Sequence, residues 1–519
     1  MFGNLHGNVR RLICAAAFAA AGAQFAAGQL VQLQFQQTVG GPGLEWTYDA
    51  VETFDQGYLT IGATLSPDGI GRDIVFARYH PDGSFFLPWG MSPIVMPLPG
   101  DDVGYSVTRV FDGGFALGIE TNTFGPMFGL GLIKLSPGGF PQFPSLVFSG
   151  TAFADGTIGA ATAPMMDAID GSVLAVSRWK TGIGQDGTLV RVSNNGWFPI
   201  FARSYFDISP IEGSYLSFSD VRQTLDGRIV VCGWIAATAQ SPKDGLVAWF
   251  DPMGNPMMAL AYGFPHLDEY FDSIEVLGDG TYAVTGRDSG YPVATRYLRL
   301  DPFGQMISSV LFPNFISAQS CVREDRAHQR LIIAGSRPKS DVAAATLAEL
   351  INCDYMGMNS YAMAYGAPAR NTSEHGEAAL AMSDCGYALF GDTASFNVQA
   401  QDQYFVKTSV NLLSGCNEVP VPDGLLFEPM PIRDVPLMWR ELQWTRWEVP
   451  MMQSFNRNVL CFGVVCKPDF DGDGFITGID YDLFVQAFEA GDFRADFDCD
   501  GFLTGPDFDQ FVVAFEAGC

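Results

Sequence analysis

From about Gln29 to Cys416 the chain alternates short apolar runs, rich in β-branched and aromatic residues, with turns marked by Gly, Asp-Gly or Pro. That pattern predicts many short strands and few helices. One phrase recurs through it: an Asp or Gly turn, alternating apolar residues, then Gly or Ser. It stands as DQGYLTIG, DGGFALGI, DGSVLAVS, DGRIVVCG, DGTYAVTG, HQRLIIAG and DCGYALFG. The closing residues, Gly62, Gly118, Ser177, Gly233, Gly286, Gly335 and Gly391, follow one another at 49 to 59 residues. A second phrase, an apolar strand running into a turn, follows the first six copies and ends at Gly83, Gly139, Gly196, Gly254, Gly304 and Gly357. The seventh copy runs QYFVKTSVNLLSG instead and is irregular.

A period of this length holds about four strands, which fits one blade of a β-propeller, whose radial repetition leaves only short, protected sheet edges. Seven copies predict a seven-bladed β-propeller over residues 29–416, and hence a mainly β fold. The early strand LVQLQFQQTVGG precedes the first full copy and matches the tail of a blade, so it is expected to pair into the last blade and close the ring. No copy ends in Trp-Asp, which excludes a WD40 blade. SPDGIG at Ser66 has its second glycine one position late for an Asp-box and is an ordinary Pro-Asp-Gly turn. The phrases resemble those of secreted bacterial propeller families, most clearly at Asp112 to Gly118 with Ile133 to Gly139. That resemblance implies a fold and not an activity.

The N-terminus adds a cellular address. A basic pair, Arg10 and Arg11, precedes an apolar stretch from Leu12 and small residues suited to cleavage near Ala23 or Gly28, which is the layout of a secretory signal peptide over residues 1–28. No later segment is apolar over the ~20 residues a membrane helix needs. The mature chain is therefore expected to be secreted, extracellular or at the cell surface, with no membrane span. Export permits disulfides. Cys14 leaves with the leader, and Cys461 with Cys466 and Cys499 with Cys519 are the local pairings expected. The 29 Lys+Arg against 57 Asp+Glu give a net charge of -28, which disfavours nucleic acid and anionic lipid as partners and favours cations.

Catalytic signals are sparse in the repeat. The five histidines, His6, His80, His266, His328 and His375, share no metal-ligand spacing, and neither Gly-x-Ser-x-Gly nor His-Glu-x-x-His occurs. Asp101 with Asp102 and Asp268 with Glu269 are available for acid–base work on a glycan. Adjacent residues point apart, however, so they are expected to be solvated loop charges, and no catalytic residue is assigned. Residues 417–466 lose the beat and gather prolines with Trp439, Trp444 and Trp447. This Pro/Trp-rich linker is expected to begin as an extended spacer, its tryptophans packing on a neighbour.

The end of the chain, residues 467–519, changes pattern again. DFDGDGFITGIDYDLFVQAFEAG from Asp469 is followed, at an offset of 27 residues, by DFDCDGFLTGPDFDQFVVAFEAG from Asp496. In the first loop oxygen-bearing side chains fall at positions 1, 3, 5, 9 and 12: Asp469, Asp471, Asp473, Thr477 and Asp480. Gly474 at position 6 permits a sharp turn, and Phe475 at position 7 offers its backbone carbonyl. The second loop repeats this with Asp496, Asp498, Asp500, Gly501, Phe502, Thr504 and Asp507. This is the spacing of a 12-residue Ca²⁺ loop, in which a hard cation collects six to eight oxygens. Two Ca²⁺ sites are expected, with folding coupled to the metal. After each loop the period becomes helical: Tyr481, Phe484, Ala487 and Phe488 share a face, as do Phe508, Phe511, Ala514 and Phe515. Gly491 and Gly518 suit left-handed caps.

A duplicated loop and helix of this kind resembles a dockerin, the small C-terminal module that binds cohesin domains and attaches secreted proteins to a scaffold. The resemblance implies EF-hand-type calcium binding and a cohesin-like or other surface partner. It departs at Gly478-Ile479 and Gly505-Pro506, where many dockerins carry a Ser/Thr-type pair, so calcium binding carries over and a standard cohesin does not. The expected protein is therefore an exported propeller acting as a binding scaffold for a polysaccharide or protein ligand, with a calcium-stabilised docking tail. The alternative is a secreted polysaccharide-active enzyme, a glycoside hydrolase or lyase, with catalytic carboxylates in propeller loops.

Overall fold

The computed structural model describes residues 31–519 apart from 42, 67–68, 70, 87–92, 124–128, 143–144, 150–164, 168–169, 181–183, 209–214, 290–293, 340–341, 368–370, 397–400, 422–424, 448–455, 472–474, 499 and 518–519. The proposed leader, residues 1–28, lies outside the described residues. The chain is 57% strand and 8% helix, which makes it mainly β with two helices at its C-terminal end. Its contacts separate a large unit, chiefly Leu33–Gly463, from a small one made of Val464–Asp498 and Leu503–Cys519.

Each repeat folds as a four-stranded antiparallel meander. In the first, Glu45–Glu52 pairs with Tyr58–Leu65, then Arg72–Tyr79, then Ile94–Met96. The recurring phrase is always the second strand, as in Phe115–Thr121, Ile229–Ala236, Tyr282–Asp288 and Tyr387–Thr393. These strands are buried on both faces, which is why they read as nearly unbroken apolar runs rather than strict alternation. The phrase begins with Asp for two reasons. Its side chain closes the turn, Asp112 accepting from the backbone N–H of Gly114 and Asp384 from that of Gly386. It also pairs with a basic residue on the third strand: Asp55 with Arg78, Asp112 with Lys134, Asp279 with Arg299 and Asp384 with Lys407.

The first strands of consecutive sheets touch in chain order, and Glu374–Ala381 touches Glu45–Glu52 again, so the series closes on itself. Closure is also made by the sheet ladder. Val31–Gly40 is the fourth strand of the sheet formed by Glu374–Ala381, Tyr387–Thr393 and Asp402–Thr408, with Phe35 opposite Lys407 and Val39 opposite Gln403. This is the pairing expected of the early strand. Between adjacent sheets lie separate apolar clusters, for example Leu59, Ile61 and Phe76 with Leu117 and Ile133. Tyrosines on the outer strands latch onto the next sheet, Tyr205 and Tyr262 donating to the carbonyls of Gly254 and Gly304, both at 2.7 Å.

Residues 417–436, expected to form an extended spacer, instead run along the outer edges of the sheets, and residues 437–447 continue along them. Glu418–Val421 pairs with Tyr361–Tyr365, Leu426–Phe427 with Met306–Pro313, Ile432–Asp434 with Pro256–Tyr262, Leu437–Glu441 with Phe198–Asp207, and Gln443–Trp447 with Ser145–Ser149. Asn456–Cys466 then lies beside Val31–Gly40. The physical reason is the row of unpaired N–H and C=O groups on each outer strand, which an extended segment satisfies and which tolerates proline. Met430 and Val435 sink into the inter-sheet clusters, and Trp439 packs there too, with the Arg203 guanidinium 3.6 Å from its ring centroid. The side chains of Trp444 and Trp447 are outside the described residues.

Cys385 and Cys416 are each in a disulfide, while Cys232, Cys321 and Cys353 are buried thiols. Cys461 and Cys466 sit on one strand, Asn456–Cys466, and five residues of extended chain span about 16 Å. That exceeds the reach of a disulfide, roughly 7 Å between Cα atoms, so this expected pairing is corrected. Cys499 and Cys519 are outside the described residues.

The small unit holds helices α1, Gly478–Ala490, and α2, Gly505–Ala517. Thr477 caps α1 in a capping box with Asp480, and Gly491, at φ 72°, ends it in the left-handed conformation. The two apolar faces meet: the Phe484 and Phe511 rings stack at 3.7 Å and 3°, and Tyr481 lies edge-on to Phe515 at 5.6 Å.

Candidate metal loops and a central cavity

Each acidic loop converges on a point. Carboxylate oxygens of Asp469, Asp471 and Asp480 lie within 4.8 Å of one another, and so do those of Asp496, Asp498 and Asp500. Asp473 and Gly474 are outside the described residues. The donors are all oxygen, which suits a hard cation such as Ca²⁺ rather than zinc or copper. The position-12 residues tie each loop to its helix. Asp480 accepts from the backbone N–H groups of Phe470 and Asp471 through Oδ1, at 2.8 and 3.2 Å, and from Thr477 N and Oγ1 through Oδ2. Asp507 does the same with Phe497, Asp498 and Thr504. Burial alone would raise these carboxyls, but the N–H donors outweigh it and hold both below the ordinary range. Thr477 and Thr504 direct their hydroxyls to Asp480 and Asp507. The Phe475 and Phe502 rings are each 71% exposed, so position 7 contributes no side chain to the loop interior.

A second site lies in the large unit. In five of the sheets the first strand slips register against the second at an equivalent place: between Thr47 and Asp49, Gly104 and Ser106, Phe218 and Asp220, Phe271 and Ser273, and Gly376 and Ala378. The slip presses the first strand's backbone onto the repeat glycine. A Cβ on Gly62, Gly286 or Gly391 would sit 1.8 Å from the carbonyl oxygen of Trp46, Tyr270 or His375. The repeat glycine therefore marks a β-bulge, and a bulge re-aims its extra residue. The extra residues, Tyr48, Tyr105, Ser219, Asp272 and Glu377, all line a shared cavity of about 460 Å³. That is within the size range of small-ligand pockets, roughly 300–1,000 Å³.

The cavity wall has a built electrostatic structure. Asp49 bridges to the next sheet, accepting from Ser106 Oγ at 2.9 Å and Val107 N at 3.0 Å; Asp220 does the same with Ser273 and Ile274. Arg222 is neutralised by Asp220 at 2.7 Å and Glu275 at 3.0 Å. Asp272 accepts from Ser320 and lies 3.5 Å from Arg287; burial pushes its carboxyl up to about 6. Among the described residues Glu377 makes no side-chain hydrogen bond, and burial, with Asp392 nearby, pushes it up to about 8. The rings of Tyr48 and Tyr105 lie 5.0 Å apart.

None of these cavity residues was singled out in the sequence. The available signal was positional: Tyr48, Tyr105, Ser219, Asp272 and Glu377 stand 13 or 14 places before a repeat glycine, and unlike the glycine they vary between copies. The carboxylate pairs that were considered do not act as pairs. Asp101 forms a two-point ion pair with Arg72, whereas Asp102 is buried and accepts from Thr123. Asp268 accepts from the Lys243 backbone, whereas Glu269 is buried. The expectation of solvated loop charges is thus corrected for Asp102 and Glu269, each of which opens a first strand and enters the sheet interior.

No family model matches the chain, and no curated protein matches it. Among solved structures it is similar to polysaccharide lyase Uly1, at 11% identity and TM-score 0.43 over 70% of this chain and 90% of that one. It is also similar to a protein of unknown function from Dyadobacter fermentans, at 12% identity and TM-score 0.41 over 59% and 93%. A subtype N11 neuraminidase-like protein of an influenza virus from a flat-faced bat gives 10% identity and TM-score 0.36 over 74% and 95%. Likeness at this level does not extend to activity.

Proposed function

We propose that this is an exported calcium-binding protein in which a seven-bladed β-propeller presents a binding face and a dockerin-like tail docks on a cohesin-like scaffold or surface protein. The observation that carries the reading is the convergence of three carboxylates in each of two loops, at positions whose spacing suits Ca²⁺. The closed series of first strands, completed by Val31–Gly40, supports the propeller. Metal-free loops leave like charges crowded together, so the tail is rigid only with the cation. Calorimetry of the full chain with Ca²⁺ should give two sites, which Asp469→Ala with Asp496→Ala abolishes; a titration unchanged by that double variant would sink the reading. Affinities of about 10⁻⁴ to 10⁻³ M are expected for extracellular loops of this kind.

Asp272 and Glu377 favour a second reading, a polysaccharide-active enzyme, because two carboxyls held at different proton affinities facing one cavity suit an acid–base pair. Glycan cleavage that disappears in Glu377→Gln would support it.

A further inference from the structure

The cavity has a chemistry of its own, which rests on the reading of the large unit as a binding scaffold. We propose that it is a binding site for an acidic saccharide, a short polyhydroxylated chain whose carboxylate is taken by Arg323 and whose sugar ring lies against Tyr48 and Tyr105 beside Glu377.

Arg323 is the first reason. It lines the cavity and uses only Nη1, which donates to Ser273 Oγ at 3.3 Å and to its neighbour Val322's carbonyl at 2.8 Å. Among the described residues no carboxylate lies within ion-pair distance of it, whereas Arg222 on the same wall has two. Asp220, Glu275 and Asp49 stabilise its charge only from beyond ion-pair distance, and its remaining N–H fork matches a planar carboxylate. The wall's own acids are committed elsewhere, Asp49 and Asp220 to the bridges between sheets and Glu275 to Arg222.

Glu377 is the second. Among the described residues its carboxyl has no hydrogen bond, and burial favours its protonated form, which donates to a hydroxyl or ring oxygen without repelling an anion. Spacing is the third. Cys321 and Ala378 both lie opposite the residue that precedes a repeat glycine, so Arg323 stands three positions further along its strand than Glu377 does on the next. Three residues of strand are about 10 Å. An isolated carboxylate or phosphate cannot span that distance, whereas a sugar chain entering from the bulge level with its anionic group leading can. Tyr48 and Tyr105 supply apolar ring faces at the same level as Glu377, and Ser219 and Thr108 add hydroxyls to the wall.

The test is calorimetry on the full chain in saturating Ca²⁺, with trigalacturonate and a hyaluronan tetrasaccharide as acidic probes, maltotriose as the neutral one and acetate as the bare carboxylate. The expected result is binding of an acidic probe at least about tenfold tighter than maltotriose or acetate, with the preference lost in Arg323→Gln. Tyr48→Ala, which leaves every charge in place, should weaken the acidic probe as well, and it keeps the proposal testable if Arg323→Gln lowers the thermal midpoint. Equal affinity for acidic and neutral chains overturns the proposal, as does binding unchanged by either variant. So does the absence of binding by both acidic probes. The Ca²⁺ titration of the tail is read separately, so failure here leaves the docking reading standing.

Discussion

Four acidic residues open first strands and are buried there: Glu45, Asp102, Glu269 and Glu374. Each is fixed locally, Glu45 by the Thr64 hydroxyl, Asp102 by that of Thr123, Glu269 by the Phe264 N–H and Glu374 by the Lys339 ammonium. Glu269 is the clearest to test, being only 1% exposed. Burial, reinforced by Asp288 and Asp244, pushes it from 4.5 up to about 8. Between those values the folded chain keeps a proton that the unfolded chain has released, so this group makes the protein less stable as pH rises from about 5 to 8. Glu269→Gln is neutral at every pH and keeps the carbonyl that Phe264 uses. The variant should match the parent in thermal midpoint near pH 5 and exceed it at pH 8, by on the order of 1–3 kcal/mol. An equal difference at both pH values would show that the side chain is not titrating in the fold.

At the scale of the element, the β-bulge explains both what was legible and what was not. The glycine that closes the phrase was visible because Gly62, Gly233, Gly286 and Gly391 each need the same close approach of backbone at that place. Gly286→Ala should therefore destabilise the chain by about 3 kcal/mol or more in denaturant titration, since its Cβ would meet the Tyr270 carbonyl at 1.8 Å. A loss below about 1 kcal/mol would mean that the strand slips back into register at little cost. The residue the bulge re-aims was not visible, because nothing in packing constrains it: Tyr, Tyr, Ser, Asp and Glu stand at equivalent positions. The tail was legible for the opposite reason. Its carboxylate spacing and helix faces are local patterns, and Phe484 and Phe511 recur at the loop offset and stack as that offset implies. Residues 417–436 read as a spacer because proline is a spacer signal in isolation and an edge-strand signal only when an edge is waiting, whereas the packing expected of the tryptophans is seen at Trp439.

For the whole molecule, that edge is the main consequence. Every outer strand of an isolated meander would expose backbone donors and acceptors to other chains. Here one continuous segment visits the sheets in reverse chain order, from Tyr361–Tyr365 back to Ser145–Ser149, and covers them with strands of two to five residues. It is held by charge as well as by main-chain bonds, Arg433 pairing with Asp244 and Arg440 with Asp186, and it contributes Met430 and Val435 to clusters that otherwise belong to the sheets. A segment of this kind stabilises the ring from outside and also keeps it solitary. Chains ending at residue 466 and at residue 416 separate the two roles, because both retain the whole repeat and lack the acidic tail. The longer chain should be monomeric by light scattering. The shorter should unfold at lower temperature and associate in a concentration-dependent way, since six outer strands then present bare edges. If the shorter chain stays monomeric with an unchanged thermal midpoint, the edges are protected by their own twist and side chains, and the segment is a passenger on a ring that is already complete.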